Sequence, residues 1–419
     1  MSRIRRCLPA ALAMLCVVAC VLPGPVREAT AASPGRTASP GRTSPHQVGR
    51  EQALDRTLRY GTTGRTWRTV IRSDGAPYIK VHFASLRLVP GDYVTVADPA
   101  GREVHAYHGD PTRAGRRSPG DAGFTRHGTP GFAAMSVDSD TAVVTLHAAA
   151  PRPGAAALSR QGFGVRIDRY FRGMTQPELA DAGLLSVCGS TDARRDAVCY
   201  RDSHPVPYQR SRAVARARIN GMFVCTAWRV GDTNRVLTNN HCIASAADLA
   251  ASEFTFGWAC ATCGGKDPAT GVKVGGGEFL KTSPRAGGMD YTLVTVKDFD
   301  RVERFGTLYL DPREPELGER IYIAGHGTAL PNRLSIYQEA QGGAVCQVDE
   351  PTVRGDDMGY NCDTTPGSSG SPVLAAGSDR VIVLHHSGGC PDYPNSGTRI
   401  SLVYDEIRDL VDNQPPAQR

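Results

Sequence analysis

Thr365-Pro366-Gly367-Ser368-Ser369-Gly370-Ser371-Pro372-Val373-Leu374 is the stretch on which the fold turns. A serine set between glycines and followed by an apolar strand fits a hydroxyl held at a sharp turn. A serine that attacks a carbonyl needs a base to take its proton and a partner to hold that base in one tautomer. It also needs donors waiting where the oxyanion forms. Gly367 lets the backbone turn so that two N–H groups converge, and the amides of Gly367 and Ser369 are the expected donors. Gly370 leaves room behind the hydroxyl. A Gly/Ser-rich turn without chemistry has the same composition, and the strand Val373-Leu374 counts against it.

Two further stretches supply the missing partners. In Arg235-Val236-Leu237-Thr238-Asn239-Asn240-His241-Cys242 an apolar strand delivers a histidine with a cysteine directly after it. Upstream, Met222-Phe223-Val224-Cys225-Thr226-Ala227-Trp228 offers a cysteine on another strand, and a Cys225–Cys242 bridge would pin the loop that carries His241. In Met289-Asp290-Tyr291-Thr292-Leu293-Val294 an aspartate opens an apolar strand after a Gly-rich turn. A buried carboxylate is costly unless paired, and an imidazole N–H would pair it. Histidine, aspartate and serine follow in that order, roughly 50 to 80 residues apart, which leaves room for two six-stranded barrels with a site between them. His241, Asp290 and Ser369 are the expected catalytic triad.

The rest of the chain sets the context. Its 419 residues are too many for one compact domain and suit two. Gly and Pro in short, evenly spaced clusters fit an all-β protein with many turns. The net charge of +6 is small for this size, and no basic stripe with interleaved aromatics suggests nucleic-acid binding. Residues 1–31 read as an export signal: Arg3, Arg5 and Arg6, an apolar run from Cys7 to Leu22, and Ala29-Thr30-Ala31 as a cleavage site. Val17-Val18-Ala19-Cys20 offers an alternative, a lipid anchor through Cys20. Secretion is the expected fate, and no later stretch is long and apolar enough to span a membrane.

Residues 32–56 read as a flexible linker poor in apolar side chains. Residues 57–173 alternate in short runs such as Tyr78-Ile79-Lys80-Val81-His82-Phe83 and Thr141-Ala142-Val143-Val144-Thr145-Leu146. Without a cysteine or a catalytic cluster, they are expected to form a small β-sandwich, a pro-domain or accessory domain. Residues 174–187 read as a hinge or processing segment, 188–412 as the catalytic domain closed by an amphipathic helix near 402–411, and 413–419 as a polar tail. Nine cysteines follow the signal, all from residue 188 onward. In an exported chain these read as disulfides, with one thiol, Cys260 or Cys263, left over.

The triad stretches, together with Val187-Cys188-Gly189, Arg194-Arg195-Asp196 and Leu384-His385-His386, resemble the trypsin/chymotrypsin superfamily. Within it they are most similar to bacterial lysyl endopeptidases and related actinobacterial trypsin-like proteases. The resemblance covers essentially the whole second half and implies a chymotrypsin-like double β-barrel, here preceded by the small sandwich. It implies a serine endopeptidase acting as a monomer on protein or peptide substrates through an acyl-enzyme, with no cofactor and no metal. It further implies bridges Cys225–Cys242, Cys188–Cys390 and Cys199 with Cys260 or Cys263; elimination adds Cys346–Cys362. The first half resembles the β-rich pro-region of such enzymes more loosely, at Val81-His82-Phe83 and Gly91-Asp92-Tyr93-Val94.

Two departures matter. Chymotrypsin-like zymogens carry an aspartate just before the nucleophile to pair with a freed N-terminal ammonium. Here that place holds Ser368, so that activation switch is not expected. Asp363, six residues before Ser369, stands where trypsin-like enzymes keep the floor of the specificity pocket and predicts cleavage after Lys or Arg. The alternative is a glutamyl endopeptidase, since Thr364 and His385 occupy places used there to hold an acidic side chain. A catalytically silent trypsin-fold binding protein is a further alternative. Rivals outside the class are a metal site built from Cys260-Ala261-Thr262-Cys263 with His385-His386, and a surface-attached adhesive protein.

Overall fold

The computed structural model describes residues 45–113, 118, 121, 123–181, 187–265, 268–338, 342–353 and 355–415. The export signal, Cys20 and most of the expected linker lie outside these residues.

The first domain is a β-sandwich. The short strand β1 (His46–Gln47) pairs outside it, with a strand of the first barrel. The sandwich strands are β2 (Gly49–Leu58), β3 (Thr66–Arg72), β4 (Ile79–Arg87), β5 (Tyr93–Ala97), β6 (Val104–Tyr107), β7 (Phe124–Thr125), β8 (Phe132–Ala134), β9 (Thr141–His147) and β10 (Gly164–Gly173). One sheet runs β2-β10-β4-β8-β7 and the other β3-β9-β5-β6. Alternation decides which faces meet: Val94, Val96, Ala142, Val144 and Leu146 point inward, against Ile79, Val81, Phe83 and Phe132 of the facing sheet. Between β9 and β10 lies the short helix α1 (Ala155–Arg160).

Two expected boundaries move. The linker was expected to run to residue 56, but His46–Gln47 and Gly49–Leu58 are strands. β2 is polar along most of its length and pairs with β10 from Gly49 to Leu58 as an edge strand. Backbone pairing, not apolar alternation, holds it, so its composition resembles a linker's. In the expected hinge, the Met174 N–H donates to the Val48 carbonyl at 2.7 Å, and α2 (Gln176–Asp181) buries Leu179 beside Val48 and Val224. Residues 182–186 of that segment lie outside the described residues.

After β11 (Arg195–Asp196) and α3 (Pro205–Ser211) comes the first barrel. It comprises β12 (Val214–Ile219), β13 (Phe223–Arg229), β14 (Val236–Thr238), β15 (Ser252–Phe256), β16 (Val272–Ser283) and β17 (Tyr291–Val296), with α4 (Ala246–Ala250) between β14 and β15. The order β13-β12-β15-β16-β17-β14 closes because β14 also pairs with β13. Closure at Trp228 and Arg229 leaves the N-terminal part of β13 with an edge of its own, and the barrel encloses Ala215, Ala217, Val236, Phe254, Val274 and Val294.

The second barrel holds β18 (Ile321–Gly325), β19 (Arg333–Ser335), β20 (Tyr337–Gln338), β21 (Ala344–Val345), β22 (Glu350–Val353), β23 (Asp357–Tyr360), β24 (Pro372–Ala375), β25 (Arg380–Ser387) and β26 (Asn395–Arg399). Its main sheet runs β11-β19-β18-β24-β25-β26-β23-β22, eight strands where six were expected. It wraps Ile323, Met358, Val373, Ile382 and Val383. A further core joins the barrels: Trp228, Leu237 and Leu293 from the first meet Tyr322, Leu374 and Leu384 from the second. The closing helix α5 (Ile400–Ile407) adds Ile400, Val403 and Ile407, spaced as one helical face.

The sandwich docks on the first barrel through buried charge. Lys80 Nζ lies 2.8 Å from Glu253 Oε2, and both side chains are fully buried. Arg218 holds the other Glu253 oxygen at 2.6 Å. Asp138 of the sandwich meets Arg216 at 3.0 Å and Lys273 at 3.1 Å, and Lys273 also contacts Glu103. Burial of this kind is tolerated only where every charge finds partners.

Candidate active site

The loop after β14 carries His241, and the turn before β17 carries Asp290. His241 Nδ1 lies 2.8 Å from Asp290 Oδ2, and the His241 backbone N–H donates to Asp290 Oδ1 at 3.0 Å. Both side chains are almost wholly buried. The carboxylate can only accept, so Nδ1 carries the proton and the Nε2 lone pair is left to act as a base. Burial pushes the Asp290 carboxyl up, but the His241 ring and main chain outweigh it and hold the group below the usual carboxylate range. Asp290 itself adopts φ = 50°, a left-handed conformation uncommon outside glycine and held by the pairs it makes. Asn239 Nδ2 donates to the Asp290 carbonyl at 2.8 Å and fixes the turn from its other side.

Ser369 is positioned by the strand that anchors the histidine loop. The Thr226 N–H donates to the Ser369 carbonyl at 2.8 Å, and the Thr226 hydroxyl donates to the Gly367 carbonyl at 3.0 Å. Thr226 follows Cys225, whose bridge to Cys242 fastens the residue next to His241. A ring nitrogen of His241 lies within 4.8 Å of both sulfurs of that cystine. The candidate nucleophile and the candidate base are thus tied to adjacent residues of β13. The bridged sulfurs leave this Cys-His-Cys group without thiolates to offer a metal.

Two carbonyls of the turn around Ser369 are pinned. The Pro366 carbonyl accepts from the Thr328 N–H at 2.6 Å, and the Ser368 carbonyl accepts from the Ser371 N–H at 2.8 Å. In a trans peptide the N–H points opposite to the carbonyl. The N–H groups of Gly367 and Ser369 are therefore turned away from those anchors. At Gly370, with φ = 89°, a Cβ would sit 2.0 Å from the Thr226 carbonyl oxygen, so no side chain fits between the Ser369 turn and β13.

The three expected pocket residues fare differently. Asp363 is buried, and its two oxygens are taken by backbone N–H groups: Cys188 to Oδ1 and Ala193 to Oδ2, each at 2.7 Å. Burial pushes this carboxyl above the usual range against those two bonds. Asp363 is therefore a strut to the segment Cys188–Ala193, not an open charged floor. Thr364 Oγ1 is buried without a hydrogen-bond partner. His385 Nδ1 pairs with the Tyr360 hydroxyl at 2.6 Å, and burial lowers the ring to about 3, so it is neutral.

Sequence reading passed over Thr226, Asn239 and Arg285. Arg285 Nη1 stands 3.6 Å from Asp290 Oδ2 and donates to the His386 carbonyl at 3.2 Å. Asn239 had a local signal in Thr238-Asn239-Asn240-His241; the other two had none.

Among the described residues four bridges are formed: Cys188–Cys390, Cys199–Cys263, Cys225–Cys242 and Cys346–Cys362. Cys260 is the remaining thiol among them, so the C-x-x-C pair is split and does not present two thiolates with His385 and His386.

Residues 225–382 match the trypsin-like peptidase domain. The matched span begins at the cysteine of β13 and includes His241, Asp290 and Ser369, and it supports a serine-type peptidase. Secreted RxLR effector protein 73 of Plasmopara viticola is 27% identical over 335 residues, 77% of this chain and 78% of that relative. The uncharacterized protein y4fB of Sinorhizobium fredii is 32% identical over 161 residues, 36% of this chain and 24% of that protein. Similar solved structures include a Glu endopeptidase in complex with MPD, at 18% identity and TM-score 0.39 over 54% of this chain and all of that one. Deg5 gives 14% identity and TM-score 0.36 over 48% and 90% of the two chains.

Proposed function

We propose that this chain is an exported serine endopeptidase in which His241, Asp290 and Ser369 form the catalytic triad. His241 Nε2 takes the Ser369 proton as the hydroxyl attacks the scissile carbonyl, and Asp290 stabilises the imidazolium that forms. The Gly367 and Ser369 amides receive the oxyanion. The imidazolium then gives its proton to the leaving amine, and water hydrolyses the acyl-enzyme by the same steps. The observation that carries this proposal is the buried His241–Asp290 pair fastened to the same strand that holds the Ser369 carbonyl.

Cleavage after Lys or Arg loses its charged floor, because Asp363 is spent on backbone amides. One observation favours acidic side chains instead: the Thr364 hydroxyl, at the position that glutamyl endopeptidases use to hold such a group, is buried with no partner. A silent binding protein would not need the paired, buried imidazole. The bridges linking Cys188 to Cys390 and Cys225 to Cys242 support a place near the bacterial lysyl and actinobacterial enzymes.

Export is supported by the four bridges and by a relative whose name marks it as secreted. Among the described residues no helix is long and apolar enough to cross a membrane. The sandwich serves as a pro-domain. Its charged interface suits separation, since Arg216, Arg218, Glu253 and Lys273 can be rehydrated where an apolar face would not be.

The test is hydrolysis of a peptide library by wild type and Ser369→Ala, with circular dichroism to follow the fold. Loss of all cleavage with an unchanged spectrum supports the assignment. Cleavage by the variant within ten-fold of wild type overturns it.

A further inference from the structure

Strand β13 has one edge that bears on the candidate nucleophile, and its backbone groups there are shared among three partners. In an antiparallel strand every second residue turns its N–H and carbonyl to the same side. Thr226 turns both of its groups away from β12: its N–H goes to the Ser369 carbonyl, and its carbonyl accepts the Thr238 hydroxyl at 2.8 Å. Trp228, two residues on, faces Leu237 of β14 on that side. Val224, two residues back, faces His46 of β1, and the Met222 carbonyl accepts the Val48 N–H at 2.7 Å. Along this edge the order is therefore the chain's own residues 46–48, then Ser369, then the strand leading to His241.

The direction of β1 gives this arrangement its meaning. β13 runs from Phe223 toward Thr226, and hence toward Ser369. β1 is antiparallel to it, with His46 opposite Val224 and Gln47 opposite Phe223. It therefore runs outward from the Ser369 side, Pro45 first and Val48 last. A polypeptide whose scissile bond lay at Ser369 and whose following residues paired with this edge would run the same way. β1 thus has the place and the polarity of the leaving-group half of a bound substrate.

The strand is also built in. Val48 is buried with Met174, Leu179 and Val224, and the Val48 carbonyl accepts the Met174 N–H at 2.7 Å. At the next residue, a Cβ on Gly49 would lie 2.8 Å from the Gly221 carbonyl oxygen and 2.9 Å from that of Arg172, so only glycine passes there without displacing backbone.

We propose that residues 45–48 are a built-in plug. They occupy the edge of β13 that would otherwise take the extended segment after the scissile bond, leaving the triad formed but closed to long polypeptides. Resting on the peptidase assignment, this deepens it in two respects. The substrate is an extended chain with residues on both sides of the cut, and release of β1 is what opens the cleft.

The test uses the full chain, with intact mass checked throughout, as wild type, Val48→Pro and Gly49→Val. Val48→Pro removes the N–H given to Met222, and Gly49→Val crowds the entry of β1. Three readouts are compared: an internally quenched peptide extending several residues past the cut, a chromogenic amide with nothing past it, and the rate of fluorophosphonate labelling. Either variant is expected to speed cleavage of the long peptide at least ten-fold, with less than two-fold change in the short amide and the labelling. Labelling at the wild-type rate with an unchanged long-peptide rate in both variants overturns the plug alone. Equal gains on long and short substrates also overturn it. Absence of labelling in every chain overturns the peptidase assignment, and the plug with it.

Discussion

His241 and Asp290 are joined twice, by the ring Nδ1 at 2.8 Å and by the backbone N–H at 3.0 Å, each to a different oxygen of one carboxylate. The second bond fixes the carboxylate plane, so the first holds the imidazole in one orientation as well as one tautomer. Asp290→Asn keeps the shape but puts an amide N–H opposite a ring that must also donate. A fall in kcat on the order of 10⁴-fold is expected, with KM changed little, measured on one chromogenic substrate.

The same pair predicts a pH dependence of stability. The Asp290 carboxyl is lowered in the folded chain, so its contribution is present above the unfolded aspartate value, near 4, and is lost as pH falls through the folded value. Thermal unfolding of wild type should fall more steeply below about pH 4 than that of Asp290→Asn, which lacks the titrating group.

Asp363 should prove structural. Asp363→Asn leaves one of the two backbone N–H groups of Cys188 and Ala193 facing an amide nitrogen in a buried site. A loss of about 1–3 kcal/mol is expected, seen as a lower melting temperature, with an unchanged preference for the side chain before the cut. A selective loss of cleavage after Lys or Arg would return Asp363 to the pocket.

At the domain interface, Glu253→Gln leaves Lys80 and Arg218 buried with a neutral partner. Burial opposes the Glu253 charge, but Lys80, Arg218 and Lys273 together hold its carboxyl well below the usual range. Removing one member of such a network costs about 3–5 kcal/mol. Hydrogen exchange should accelerate in β4 and β15 together, the strands that carry Lys80 and Glu253. Wild type should show the same loosening only in strong acid, as pH falls through the lowered folded value of Glu253, because a depressed carboxyl keeps its contribution until then.

The stretches proposed to carry the triad stand out in the sequence because their signals are local. Gly367 to Gly370, the His241-Cys242 pair and Asp290 at the head of an apolar strand each announce a role within a few residues. The sandwich strands β5 and β9 were legible for the same reason, through alternation at Val94, Val96, Ala142 and Val144. What escaped depends on partners far along the chain. Lys80 sits in an alternating run where a lysine normally faces water, and only the docked barrel explains its burial. Asp363 occupies a pocket position by sequence and is claimed by amides some 170 residues earlier. β1 and β2 are too polar to read as strands without the edges they pair with.

The most direct test of the triad is fluorophosphonate labelling followed by peptide mapping, on wild type, His241→Ala and Asp290→Asn. The account predicts one phosphonylated residue, Ser369, in wild type, and labelling slowed by orders of magnitude in both variants. Label on another serine, or wild-type rates in the variants, would contradict it.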